Sequence, residues 1–361
     1  MTHSGRKGNS PLLENVTRQA PPAPNAFVSQ ELTVFQTFLC NTDEERDKLS
    51  NTIELWDAVP KYVTRKDMDR MRDGDYLPVL ERRFEHRGRA FLVRVYPARI
   101  RDDKGKEREY YPSAREELIE AALLKIATDP GSGFLEEGSK SGAVFTGNRL
   151  RKELTKRGRG VPYPDIVRSL DILSLCSVEI QSENSECLLR SAILPTIGRV
   201  NRKNYLKDQS AKWFVHFNQL VAQGIGALTY RQFDYDRMMA HRSQLARYLH
   251  KRLAHNYVSA SLTGRYTVWF STLQRDSGLL NHARKRQAID KLEEALDELV
   301  VNHVLLSWSR SEERRRMRDR RRVEDVMYDL VTHTEFNFMV KAANARQRDA
   351  RVERRLVAYD A

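Results

Sequence analysis

Apolar residues in this chain recur with two periods, and twice the periods follow one another in the same order. From Ser113, which with Glu116 makes a capping box, Leu118, Ala121, Ala122 and Lys125 mark a helix that Asp129-Pro130 ends. After the Gly131–Gly142 loop, Ala143-Val144-Phe145 predicts a short strand. Thr146 can cap a second helix over 148–156, and Gly158-Arg159-Gly160 makes a basic turn. A third helix starts near Pro162–Asp165, with Ile166, Leu170 and Leu173 as its inward stripe. Val178 and Ile180 open a hairpin that turns at Glu183-Asn184-Ser185 and returns over Leu188–Leu194 to Pro195.

The second copy spans roughly 236–334. Leu245, Leu249 and Leu253 share one helical face, Tyr266–Phe270 is the strand, and Ser271 caps a short helix ending at Gly278. The third helix runs from about His282 to Val301, with Ile289, Leu292, Leu296 and Leu299 inward. Val304–Trp308 and Val326–Val331 make the hairpin, and an arginine-rich stretch from Arg310 to Arg322 forms its tip. Helix, strand, helix, helix, hairpin is the order of a winged helix, whose third helix can enter a DNA major groove. The fold class expected is therefore α+β, with two tandem winged-helix domains.

The flanks complete the division. Residues 1–30, rich in Gly, Ser, Asn and Pro, bury too little apolar surface to fold and read as a disordered tail. Residues 31–112 read as an N-terminal extension with a small β-sheet. Its strands are expected over Val79–Phe84 and Phe91–Ile100, with Gly88 turning between them and a second turn at Asp103-Lys104-Gly105. The first winged helix with its linker takes 113–208, and the second takes 209–334. Trp213, Val215 and Phe217 alternate as a strand entering the second domain, and 335–361 form a charged C-terminal helix.

Composition narrows the function classes. At 361 residues, Lys and Arg number 62 against 49 Asp and Glu, a net charge of +13 that favours polyanionic partners, nucleic acid first. No apolar run is long enough to span a bilayer, and the polar N-terminus lacks a signal-peptide core, so a cytoplasmic protein without membrane contact is expected. Cys40, Cys176 and Cys187 are isolated and read as reduced thiols, not a zinc module or disulfide framework. Gly105-Lys106 lacks the rest of a phosphate-binding loop, GxSxG and HExxH are absent, and the histidines are scattered. Neither enzymatic activity nor a metal or cofactor is expected.

Nucleic-acid contact has residues to carry it. The third helix of the second unit is asymmetric: Arg284, Lys285, Arg286, Gln287 and Lys291 occupy its start, and Glu293, Glu294, Asp297 and Glu298 its end. Cations at a helix N-terminus oppose the macrodipole, so helix stability does not explain them. Groove-reading helices insert by their first turns, and Arg to guanine is the commonest base contact. Arg314, Arg315 and Arg316 lie where a wing approaches phosphates. In the first unit the candidate face is Tyr163, Asp165, Arg168 and Ser169 with Arg149, Arg151 and Lys152, a less basic set.

With this order of elements, the segment from about Glu116 to Thr334 resembles the plasmid replication initiators of the TrfA/RepA type. Ser243-Gln244-Leu245-Ala246-Arg247-Tyr248-Leu249-His250 is similar to that family's helix before its second recognition unit, and Ala288–Leu299 to the helix that reads an origin repeat. Thr52-Ile53-Glu54-Leu55-Trp56 resembles the family's QLSLF-like sliding-clamp peptide, with Ile53, Leu55 and Trp56 at the apolar positions and Thr52 replacing the glutamine. The same residues also read as an ordinary apolar anchor. The resemblance implies binding to direct repeats in double-stranded origin DNA, opening of adjacent AT-rich DNA, and recruitment of a host initiator, replicative helicase and sliding clamp. It also implies a homodimer that represses its own promoter. A winged-helix transcriptional regulator, and an adaptor whose winged helices bind protein, share the pattern.

Overall fold

The computed structural model describes residues 47–101, 104–129, 132–136, 140–182, 187–199, 211–257, 265–316 and 319–357. The tail expected through residue 30 lies outside them, as does Cys40. The chain is α+β, and its buried apolar side chains form two clusters, one drawn from Ile53 to Met239 together with Ala254 and the other from Leu245 to Val340.

The second lobe closes as the sequence pattern predicts. Its helices are α8 (Gln244–Asn256), α9 (Phe270–Ser277) and α10 (Lys285–Val301). Strand β13 (Arg265–Trp269) pairs with the returning strand β15 (Asp319–Thr332), which pairs with β14 (Leu305–Arg316), all antiparallel. Joining the strand before the second helix to the far arm of the hairpin is what seals a winged helix over its core. Ser243 caps α8 by accepting from the Ala246 amide at 3.4 Å. The short helix starts at Phe270, one residue before the expected Ser271 cap, and the Ser271 hydroxyl and amide instead donate to Asp325 on β15. The expected wing loop is a paired ribbon, since β14 alone runs 12 residues. At about 3.3 Å per residue that is roughly 40 Å.

The first lobe has the same order of elements with different pairing. Its helices are α3 (Ala114–Ala127), α4 (Gly147–Lys156) and α5 (Tyr163–Leu175). The Ser113–Glu116 capping box is present, and Thr146 accepts from the Arg149 amide at 3.2 Å. The hairpin β8 (Ser177–Ser182) and β9 (Cys187–Ala192) does not take back the strand before α4. It extends the hairpin β2 (Leu80–His86) and β3 (Arg89–Tyr96) into a sheet ordered β2-β3-β8-β9. The strand before α4, β7 (Lys140–Thr146), lies between β6 (Gly133–Glu136) and β11 (Lys212–His216), with β10 (Thr196–Arg199) outside β11.

Two boundaries move as a result. The strands expected to stand apart as an N-terminal sheet belong to the first lobe. So does β11, whose Phe214 faces Val144 of β7 instead of leading into the second domain. Strand β3 stops at Tyr96, before Pro97, and β4 (Ala98–Arg101) starts a separate hairpin with β5 (Glu107–Tyr110). The β2–β3 turn holds two residues, Arg87 and Gly88, both at positive φ (49° and 71°), the mirror-image turn that matches strand twist.

The N-terminal elements β1 (Leu49–Ile53), α1 (Glu54–Ala58) and α2 (Arg65–Met71) also pack on the first lobe. Strand β1 pairs with β12 (Tyr230–Asp234), which lies between α6 (Gln219–Gly226) and α7 (Tyr235–Ala240). Helix α8 separates the two cores, with Leu245, Leu249 and Leu253 in the second and Ala254 in the first. The C-terminal helix α11 (Thr334–Val357) anchors Phe336 and Val340 in the second core. It then crosses to β12, where Gln347 donates to the Tyr230 carbonyl (3.2 Å) and, just before the strand, to that of Leu228 (2.6 Å), and Arg346 bonds Gln232.

Candidate nucleic-acid interface

Helix α10 carries the strongest candidate surface, and its two ends do different work. Ala288, Ile289, Leu292, Ala295, Leu296 and Leu299 are buried and fix its orientation. The acidic end is structural. Glu293 accepts from Arg310 Nε at 2.7 Å and from the Tyr328 hydroxyl at 2.8 Å, and Asp297 accepts from Trp308 Nε1 at 2.8 Å, which ties the helix to the ribbon. Glu298 takes the backbone amides of Arg242 and Ser243 at the entrance to α8.

The basic end faces solvent. Arg284 is the N-cap residue, in extended conformation with no side-chain cap, and Arg284, Lys285, Arg286 and Gln287 are all exposed. Among the described residues the side chains of Arg284, Arg286 and Gln287 make no hydrogen bond or ion pair. Lys285 donates to the Glu324 carbonyl and stands 5.6 Å from the Phe270 ring, so its ammonium is held toward β15. Lys291 pairs with Glu294 one turn on. The first turn therefore presents uncapped amides, the positive end of the helix dipole and two unpaired guanidinium groups in one place, an arrangement suited to an anion.

The side chains of Arg314, Arg315 and Arg316 lie outside the described residues. Their backbone continues the ribbon, with Arg314 opposite Asp325 and Arg315 opposite Val323.

The first lobe does not bring its candidates together. Tyr163 is buried with its ring against Gly147, and Ser169, fully buried, donates to Glu116 at 2.5 Å and accepts from Arg115 at 2.8 Å. Arg149 is engaged by Asp129 (2.6 Å) and Ser132. Arg168 is exposed and leans on Tyr110, its guanidinium 4.9 Å from the ring and 2.9 Å from the hydroxyl. Arg151 and Lys152 are exposed on α4. Helical periodicity placed Ser169 outward, but α5 is packed on more sides than a groove-reading helix, with α3, β4, β9 and β10 around it.

The clamp-like peptide is also occupied. Ile53 is 3% and Trp56 0% exposed. The Trp56 indole donates to Glu120 at 2.6 Å beneath the Lys61 ammonium, 4.1 Å from its centroid. These side chains anchor the first core in this conformation and are not displayed to a partner.

Arginines outside the candidate set tie α7 and α8 to the first lobe. Arg157 meets Asp236 at 3.0 Å, Arg159 donates to the Met239 carbonyl at 2.9 Å, and Arg247 meets Glu117 at 2.8 Å. Gly158-Arg159-Gly160 reads in sequence as a basic turn. Only the partner segment, distant in sequence, reveals its role. Cys176 is buried, and burial pushes its thiol well above the usual range. No group of three His, Cys, Asp or Glu side chains among the described residues could hold a metal, and no described helix is long and apolar enough to cross a membrane.

No family model matches the chain, and no curated protein matches it in sequence. Solved structures do. A structure of RctB domains 2–3 matches at 10% identity and a TM-score of 0.42, over 72% of this chain and 92% of that one. A second structure of those two domains matches at 12% identity and 0.41, over 70% and 90%. The Pi initiator protein, crystallised with iteron DNA, matches at 12% identity and 0.41, over 61% and 90%.

Proposed function

We propose that this chain binds double-stranded DNA in a sequence-specific way through the second lobe and initiates replication at repeated origin sites. The observation that carries the reading is the first turn of α10. Arg284, Arg286 and Gln287 are exposed and unengaged there, while Glu293, Asp297 and Glu298 at the acidic end bond the ribbon and the entrance to α8. Arg284, Arg286 and Gln287 supply base contacts, Lys285 and Lys291 contact phosphates, and the ribbon with Arg314–Arg316 follows the backbone. Origin opening and recruitment of a host initiator, helicase and sliding clamp belong to this reading through the sequence resemblance, as does a homodimer. The protein acts by binding, without a cofactor and without catalysis.

The test is selection from a random duplex library with the full chain, followed by titration of the enriched duplex at several salt concentrations. An enriched site with affinity that falls steeply with salt supports the reading. Absence of salt-dependent duplex binding removes it. A plasmid carrying the gene and its flanking DNA then separates an initiator, which sustains autonomous replication, from a transcriptional regulator, which does not. Metal-dependent cleavage of supercoiled DNA would contradict the non-catalytic part.

A further inference from the structure

The turn between α9 and α10, which delivers the exposed first turn of α10, is seated on the other lobe. Helix α9 ends at Gly278, in the left-handed region at φ 62°, and the guanidinium of Arg82 on β2 lies directly against it. A Cβ there would come within 2.7 Å of the Arg82 carbon Cζ. Arg82 is itself fixed, donating to the carbonyls of Pro60 (2.8 Å) and Tyr62 (2.7 Å).

Three further contacts flank this one. Before the glycine, the buried carboxylate of Asp276 accepts from the Glu85 amide of β2 at 3.0 Å, and Arg275 reaches the Glu85 side chain at 2.5 Å. Beyond it, Arg70 of α2 donates to the Asn281 carbonyl at 2.8 Å, three residues before Arg284. Neither Arg70 nor Glu85 belongs to the second lobe's core, and their side chains are 54% and 48% exposed.

We infer that the first lobe positions the reading helix: Arg70, Arg82 and Glu85 hold the α9–α10 turn so that the start of α10 is fixed before DNA arrives. The inference rests on the proposed DNA-binding role of α10. Arg70 and Glu85 are positioning residues that do not touch DNA. They act by lowering the ordering cost of base readout, so their loss weakens discrimination more than it weakens non-specific phosphate attraction.

The test combines two readouts on the full chain carrying Arg70→Ala and Glu85→Ala together, which leaves Arg82 and the cores untouched. Hydrogen exchange of the free protein is expected to quicken at the amides of 281–288 and to stay unchanged across α8. Affinity for the duplex enriched by the wild-type protein is expected to fall about tenfold, with binding to a scrambled duplex unchanged. Arg70→Lys in the Glu85-intact chain, which keeps a donor for Asn281, is expected to retain discrimination. Unchanged exchange over 281–288, or equal loss on both duplexes, overturns the inference. If the wild-type chain binds no duplex, the DNA-binding reading fails, while exchange still decides whether the first lobe holds the turn.

Discussion

The guanidinium of Arg247 and the carboxylate of Glu117 meet at 2.8 Å across the junction of the lobes, with side-chain exposures of 1% and 7%. Arg247 completes its bonding with the carbonyls of His241 and Arg242. A buried pair contributes little against an apolar replacement, but removing one partner strands the other charge. Arg247→Ala and Glu117→Ala should each destabilise the protein by about 3–5 kcal/mol in urea unfolding, while Arg247→Met with Glu117→Leu should recover most of that loss. A single variant as stable as wild type would contradict the buried pair.

Base readout by α10 predicts unequal effects on DNA. Arg286→Ala should cost about 1–3 kcal/mol on the selected duplex and relax its sequence preference, with little change on scrambled DNA. Lys291→Ala should weaken both duplexes alike and lower the salt slope by about 1. Equal losses for Arg286→Ala on both duplexes would reassign that residue to phosphate contact.

Stability should fall with acid before carboxylates begin to titrate. Burial holds His241 and His255 at about 3, and burial together with its neighbour His241 pushes His250 down as well. Positive groups face them, Arg247 and Arg159 at His241, Arg231 and Lys251 at His255, and Asp57 opposes only the last. With folded values below the unfolded value of about 6.5, the unfolded chain binds more protons below that pH. The stabilisation is therefore complete above about pH 6.5 and is lost as pH falls toward 3. The urea midpoint measured at pH 7.5, 5.5 and 4.5 should decline steadily, and a flat profile would show these histidines accessible or charged in the fold.

Trp56→Ala should cost about 3–5 kcal/mol, because it empties a fully buried site and leaves Glu120 without the indole donor. Calorimetry checks this. A stability change within 1 kcal/mol would mean the segment leaves the core readily and revive it as a displayed peptide.

Hydrophobic periodicity carried most of the local structure. Capping at Ser113 and Thr146, the inward stripes of α5, α8 and α10, and the hairpin arms are all present in the fold. Partners were harder to read. Alternation at Trp213 and Val215 identifies a strand and its faces but says nothing about which strand lies beside it, so β11 looked like part of the second domain when it pairs with β7. The same limit applied to Ser169, whose outward position on an isolated helix is inward once α3 packs beside it. At α10 the charge asymmetry was visible in sequence. Its cause was not, because Glu293 and Asp297 find their partners on a ribbon that starts only after the helix ends.

Helix α11 has a consequence for the order in which the molecule is made. It follows both lobes in the chain, yet its Arg346 and Gln347 close onto β12, laid down more than 100 residues earlier. During synthesis the first lobe can fold while the second is still emerging, and the second can seal its sheet once β15 is out. The bond from α11 back to β12 forms only when residue 347 is free. A nascent chain stalled before that point would hold two folded lobes lacking this tie, so α11 is the element that fastens the two lobes already folded ahead of it.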